Sequence, residues 1–176
     1  MAIDVRQPAL HMTWEEDNLV LSLAPLQGRW TAEQYLLLTD QTKRLIEFTD
    51  GFVQILPMPT DTHQVMLRFV FLALYTFLQP LGGTVLFAPL RLQVRADKFR
   101  EPDILLVCDA SDPRRQERYW LGADLVVEIM SPHNPERDTT EKRADYAEAG
   151  IPRGDRATSA LLAGFKLAVN DVLDAQ

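Results

Sequence analysis

Short apolar runs separated by turn residues organise the first half of the chain. Residues 1–28 show no clear period, which predicts an irregular N-terminal arm. A Thr-x-x-Gln spacing that begins at Thr31 is typical of a capping box and predicts a short helix. Two strand-like runs, 44–48 and 52–56, flank an Asp-Gly turn. This arrangement predicts a β-hairpin.

The longest apolar segment predicts a helix from about residue 63 to residue 78, with Asp61 or Thr62 as its N-cap. Apolar residues occupy nearly every side of this helix. Such a helix belongs in a core or in an interface between subunits, so the segment predicts a homodimer or a higher homo-oligomer. Arg68 interrupts the segment, which is shorter than a bilayer requires, and no membrane span is predicted.

Three further strand-like runs and a helix follow in the second half of the chain. The first run, 84–94, contains a proline that predicts a bend or an edge. The runs 104–108 and 125–130 are continuously apolar, which is typical of strands buried on both faces. A short helix is expected from about 138 to 149. The element order predicts one α/β (α+β) domain with a central mixed β-sheet flanked by helices.

Composition places the chain among ordinary globular proteins. It has 176 residues, of which 47% are hydrophobic and 24% charged, enough for one domain with a real core. The single cysteine, Cys108, cannot form an internal disulfide, and no secretory leader pattern is visible. Both observations favour a cytoplasmic location.

The charge balance argues against broad, non-specific binding to nucleic acid. The net charge is −7 and the sequence pI is about 4.9, whereas such binding relies on clustered lysine and arginine. Two groups of basic residues are the exceptions. Each is either a solvated surface or a local basic face: Arg91, Arg95, Lys98 and Arg100 form one group, and Arg114, Arg115 and Arg118 form the other.

Two carboxylates lie where the apolar pattern does not explain them. Asp103 directly precedes the run 104–108, and Glu128 lies inside the run 125–130. A buried carboxylate is costly unless it is paired or binds a metal. Carboxylates from neighbouring strands offer hard oxygen ligands to Mg²⁺ or Mn²⁺, whose bound water can attack a phosphodiester. The alternative is that Glu128 faces solvent or pairs with an arginine.

The blocks around these acids resemble the Uma family of endonucleases, in the PD-(D/E)XK superfamily. In chain order the blocks are Arg44–Glu47 with Asp50-Gly51, His63, Glu101–Leu105, Asp124–Pro132, and Asp138 with Glu141–Tyr146. The resemblance covers roughly residues 30–152. It implies a restriction-endonuclease-like fold and Mg²⁺- or Mn²⁺-dependent hydrolysis of DNA.

The resemblance also implies roles for individual residues. Asp103 and Glu128 would be the catalytic acids that bind metal, and Glu47 would complete the metal shell. Met130 occupies the usual place of the catalytic lysine, two positions after Glu128, so Lys142 on the following helix becomes the candidate that orients the attacking water or stabilises charge. A further candidate, for binding substrate or the scissile phosphate, is His63. Without the family, the sequence favours a hairpin surface charge for Glu47, a surface lysine for Lys142 and a capping or surface residue for His63.

The resemblance breaks after Pro152. The family's aromatic-rich strand and turn are missing, and Ser159–Leu167 then resembles its C-terminal tail, so residues 153–176 are expected to form an atypical tail. Either a natural deletion or residues left out of the chain explains the gap. Two rivals to a nuclease stay open: a non-catalytic binding or oligomerisation protein on the same fold, and a hydrolase of another phosphoester.

Overall fold

The computed structural model describes residues 11–15, 18–130, 140–151, 162–165 and 167, and the side chains from residue 22 onward. Nine strands and three α-helices lie in these ranges. The strands are β1 (His11–Glu15), β2 (Asn18–Ser22), β3 (Ile46–Thr49), β4 (Phe52–Ile55), β5 (Thr84–Phe87), β6 (Leu92–Arg95), β7 (Lys98–Arg100), β8 (Ile104–Val107) and β9 (Leu125–Val127). The helices are α1 (Ala32–Asp40), α2 (Asp61–Leu78) and α3 (Lys142–Glu148).

The strands form three antiparallel sheets. Their orders are β1-β2, β4-β3-β7-β6 and β5-β8-β9, and every paired strand named here runs antiparallel to its neighbour. The α+β class is therefore confirmed, but a single mixed sheet is not what forms. Short connections such as the two-residue turn between β6 and β7 favour antiparallel pairs, since a parallel pair needs a long crossover.

Strand β8 is the centre of the molecule. Its four residues have no exposed surface, as the continuous apolar run predicts. Ile104 and Leu106 face the core that α2 covers. Leu105 and Val107 face a second core that includes Trp120 and Tyr146. Alternate side chains of one strand thus hold the elements on both sides of it together.

Helix α2 buries one face only. Leu67, Val70, Leu74 and Leu78 are buried at helical spacing and pack in the core that contains β8. Leu72, by contrast, is 51% exposed. The N-cap is Thr60, whose hydroxyl accepts from the backbone N–H of His63, and not Asp61 or Thr62 as expected. The homo-oligomer stays a prediction.

The apolar helical stretch is longer than the predicted helix of residues 63–78. Asp61–Leu81 has 21 residues, enough by length and composition alone to cross a bilayer. One face of α2 packs against β5 and β8, and 22% of this apolar window is buried.

The two ends of the chain differ from expectation where they are described. Residues 1–28 were expected to be irregular, but His11–Glu15 and Asn18–Ser22 pair as an antiparallel hairpin. Most of the predicted tail, 153–176, lies outside the described residues. Within it, Leu162 is buried against the α2 core, and the ring of Phe165 lies 5.3 Å from that of Phe77.

Candidate active site

Strand pairing brings the two predicted acids together. Ile104 of β8 is the register partner of Val127 of β9. Because the two strands are antiparallel, the residue that precedes Ile104 lies beside the residue that follows Val127. These residues are Asp103 and Glu128. The backbone N–H of Ile129 donates to Oδ2 of Asp103 at 2.7 Å, which fixes that carboxylate beside Glu128.

Helix α3 supplies two partners for Glu128. Nζ of Lys142 lies 2.7 Å from Oε2 of Glu128, and the hydroxyl of Tyr146 donates to Oε1. Lys142 and Tyr146 are four residues apart, which places them on one face of the helix, and both are buried. Sequence reasoning assigned no role to Tyr146, although the i,i+4 spacing from Lys142 was the signal that would have found it.

Burial makes Glu128 an unusual carboxyl group. Desolvation raises its pKa to about 7, and the negative charge of Asp103 adds to the rise, while Lys142 and Tyr146 oppose it. Each of its oxygens has a protein partner, so the group is held in a fixed position. A fixed acid next to a second acid is the arrangement that divalent cations favour.

His63 lies beside the other acid. It occupies the first turn of α2, and its Nε2 is 3.2 Å from Oδ1 and 3.3 Å from Oδ2 of Asp103. Its Nδ1 is buried without a hydrogen-bond partner among the described residues. The predicted role of His63 is to bind substrate or the scissile phosphate. The observed contact is with the acid, and substrate binding stays a prediction.

Glu47 lies deeper than the pair. It belongs to β3 and is 1% exposed. Its carboxylate is 3.7 Å from Nε of Arg100 and accepts a long, 3.4 Å hydrogen bond from the backbone N–H of Glu101. The predicted place of Glu47 in a metal shell stays a prediction.

The two carboxylates fit a divalent cation that keeps most of its bound waters better than a cation that is surrounded by protein ligands. Across the described ranges, no three His, Cys, Asp or Glu side chains form a group that could hold a metal ion. Mg²⁺ keeps several waters and is bound in many enzymes through one or two carboxylates. Asp103 and Glu128 match that requirement, and Lys142 limits the negative charge beside them.

The two basic clusters are used inside the fold. Asp145 forms ion pairs with Lys98 and Arg100, each with an N···O distance of 2.6 Å. Asp50 forms an ion pair with Arg95 at 2.6 Å. In the second cluster the carboxylates of Asp112 and Asp124 pair with Arg114, and Asp40 pairs with Arg118. Most of these cations therefore neutralise the acids of this domain and do not form an unpaired basic face.

Glu101 gives the domain a pH-dependent stability. It is 4% exposed and accepts from the backbone N–H of Ile46 at 2.9 Å. Desolvation raises its pKa from 4.5 to about 7, against the opposing hydrogen bond from Ile46 and the charge of Arg91. The folded state therefore holds a proton that the unfolded state releases between these values, and stability falls as the pH rises through this window.

Glu101→Gln should remove this pH dependence. A shift from 4.5 to about 7 corresponds to about 3 kcal/mol at most. E101Q should therefore be more stable, relative to the parent, at pH 8 than at pH 5, which means a larger free energy of unfolding relative to the parent at the higher pH. Urea unfolding at the two pH values measures the difference, with E33Q at an exposed position of α1 as the matched control. An E101Q effect that is equal at both pH values would contradict the assignment.

The sequence matches the family Uma2, described as "putative restriction endonuclease", over residues 32–155. This chain belongs to the Uma2 family. The match includes Glu47, Asp103, Glu128 and Lys142, so the resemblance seen in the sequence motifs is confirmed. No curated protein matches the sequence.

The fold of this Uma2 protein is also that of a solved structure. The crystal structure of a "putative nuclease belonging to DUF820" from Anabaena variabilis ATCC 29413 superposes with a TM-score of 0.68 at 17% sequence identity. The match covers 83% of this chain and 98% of the other. At this identity the likeness shows the fold, which is restriction-endonuclease-like. Together with the family, it supports a nuclease as the class of protein.

Proposed function

We propose that this Uma2 protein is a Mg²⁺-dependent endonuclease that hydrolyses phosphodiester bonds in DNA. The observation that carries the proposal is the β8–β9 register, which sets Asp103 beside Glu128, with Nζ of Lys142 at 2.7 Å from the latter. Hydrolysis of a phosphodiester needs, in one place, two carboxylates that can hold a metal ion and a positively charged side chain in a fixed position.

The contacts of each residue indicate its role in the proposed reaction. Asp103 and Glu128 would hold the cation, which when bound lowers the pKa of a coordinated water and stabilises the leaving oxygen. Lys142 supplies a positive charge whose position is set by its contact with Glu128. Tyr146 donates to the other oxygen of Glu128 and so restricts the rotation of that carboxylate. Preorganised groups of this kind need not be reoriented when charge develops during reaction.

One observation favours a non-catalytic rival. Lys142 and Tyr146 satisfy both oxygens of Glu128, which is also how a purely structural buried acid would be stabilised. Met130, at the usual place of the catalytic lysine, is 54% exposed. On this second reading the site holds the domain together and binds no metal.

Metal dependence separates the two readings. Purified protein should convert supercoiled plasmid to nicked or linear DNA with millimolar Mg²⁺ or Mn²⁺, and excess EDTA should stop the reaction. Titration calorimetry should show binding of Mn²⁺ to the protein alone. No binding at millimolar metal would favour the non-catalytic rival. Hydrolysis of bis-p-nitrophenyl phosphate without cleavage of DNA would indicate a hydrolase of another phosphoester.

A further inference from the structure

We propose that Asp145 is a positioning residue, and that its contacts with Lys98 and Arg100 set α3 so that Lys142 and Tyr146 reach Glu128. We call these contacts of Asp145 the α3 clamp. The inference rests on the proposed function, since it concerns the residues that arrange the same site. It assigns a structural role to two basic residues, Lys98 and Arg100, that pair with Asp145.

Helix α3 joins two sheets through neighbouring residues. Lys142 and Tyr146 contact Glu128, directly after β9 of the three-stranded sheet. Asp145 contacts Lys98 and Arg100, which belong to β7 of the four-stranded sheet. Because residues 142, 145 and 146 lie on one helical face, the clamp fixes both the rotation of the helix and its position along its axis.

Other contacts also hold the helix, since Tyr146 packs in the core with Trp120 and the exposed Glu148 contacts Arg95 and Lys98. The helix is seven residues long, and its N-cap residue, Glu141, makes no side-chain capping hydrogen bond. A helix of this length is not stable by its own hydrogen bonds and depends on its tertiary contacts. The side chain of Asp145 is only 5% exposed, and those of Lys98 and Arg100 are 12% and 3% exposed. Ion pairs at this depth are screened little by solvent.

Both carboxylate oxygens of Asp145 accept hydrogen bonds from basic side chains. Oδ1 accepts from Nζ of Lys98 at 2.6 Å. Oδ2 accepts from Nε of Arg100 at 2.7 Å and lies 2.6 Å from its terminal nitrogen. An asparagine has one oxygen and one NH₂ group, so it must turn a donor toward one of the two cations. Asp145→Asn therefore changes the clamp with almost no change in volume.

The first test measures the position of Lys142 without any use of activity. A lysine held buried against a carboxylate reacts slowly with an amine-acylating reagent, and mass spectrometry reads the extent of labelling at each lysine. In D145N the labelling rate of Lys142, relative to the exposed Lys43, should rise about tenfold as α3 opens. An unchanged rate at Lys142 would overturn the proposal.

A matched control lies in the same charge network. Asp50 pairs with Arg95, which also contacts Glu148, and Glu148 in turn contacts Lys98. D50N makes the same chemical change at an exposed position that does not touch α3. It should leave the labelling of Lys142 unchanged. An equal rise in D50N and D145N would mean that the effect is a general loosening of charge and not the clamp.

The second test uses the cleavage reaction as a double-mutant cycle. D145N should lower kcat about 10- to 100-fold with little change in KM, as expected for a residue that orients a group in contact with the reaction. K142M/Y146F combined with D145N should be no slower than K142M/Y146F alone, since the clamp acts through these two residues. Multiplied losses would show that Asp145 acts by another route and would overturn the proposal.

Two further variants protect these tests from a simple loss of folding. D145E keeps the charge and should recover most of the protection of Lys142. R100K keeps a cation but loses the two-nitrogen contact, and should give an intermediate labelling rate. If the parent protein cleaves no substrate, the proposed function fails, while the labelling of Lys142 in D145N, D145E and R100K still decides whether the clamp positions α3.

Discussion

Asp103→Asn and Glu128→Gln should each reduce Mg²⁺-dependent cleavage of DNA about a thousandfold. Each substitution removes one of the two negative charges that the β8–β9 register places side by side. The shape of the side chain is kept, so the hydrogen bond from the Ile129 N–H to position 103 has an acceptor in D103N. Single-turnover cleavage at saturating metal measures the loss at the chemical step.

Binding and folding must be measured on the same variants. Each should bind Mn²⁺ more weakly by titration calorimetry, and each should keep the circular dichroism spectrum of the parent. The matched controls are D97N in the turn after β6 and E33Q on α1, both at exposed positions, and both should cleave at the parental rate. If D103N and E128Q also cleave at that rate, the site is elsewhere.

The acid pair could be anticipated from sequence because its cause is local. Asp103 directly precedes one apolar run and Glu128 lies inside another, and a continuous apolar run such as Ile104–Val107 has few places in a fold other than the centre of a sheet. The structure buries that strand completely. What the runs do not encode is the partner strand, and the expected mixed sheet proved to be separate antiparallel sheets.

Other features depend on contacts between distant residues. Arg100 pairs with Asp145, which lies 45 positions away in the sequence. No local pattern therefore distinguishes the basic group that contains Arg100 from a solvated basic surface. The hairpin of His11–Glu15 and Asn18–Ser22 lacks an Asn-Gly or Asp-Gly turn signal, which is why the segment reads as irregular. Local chemistry thus identified the acids, and long-range pairing determined what surrounds them.

Lys142→Met should lower kcat about 10²- to 10³-fold, the range for removal of one preorganised charge-stabilising group. Lys142 is 7% exposed, and methionine fills a similar volume without the charge. Binding of Mn²⁺ should persist in K142M, since the acids remain. K43M, at an exposed position, is the matched control for loss of a lysine and should cleave normally.

The usual place of the lysine offers a sharper comparison. Met130 is 54% exposed, so a lysine there would extend toward solvent, whereas Nζ of Lys142 lies 2.7 Å from Glu128. The double variant K142M/M130K should therefore stay as slow as K142M. Recovery of cleavage in that variant would mean that position 130 turns toward the acids during reaction. A parental rate in K142M would instead reduce Lys142 to a structural counter-charge of Glu128.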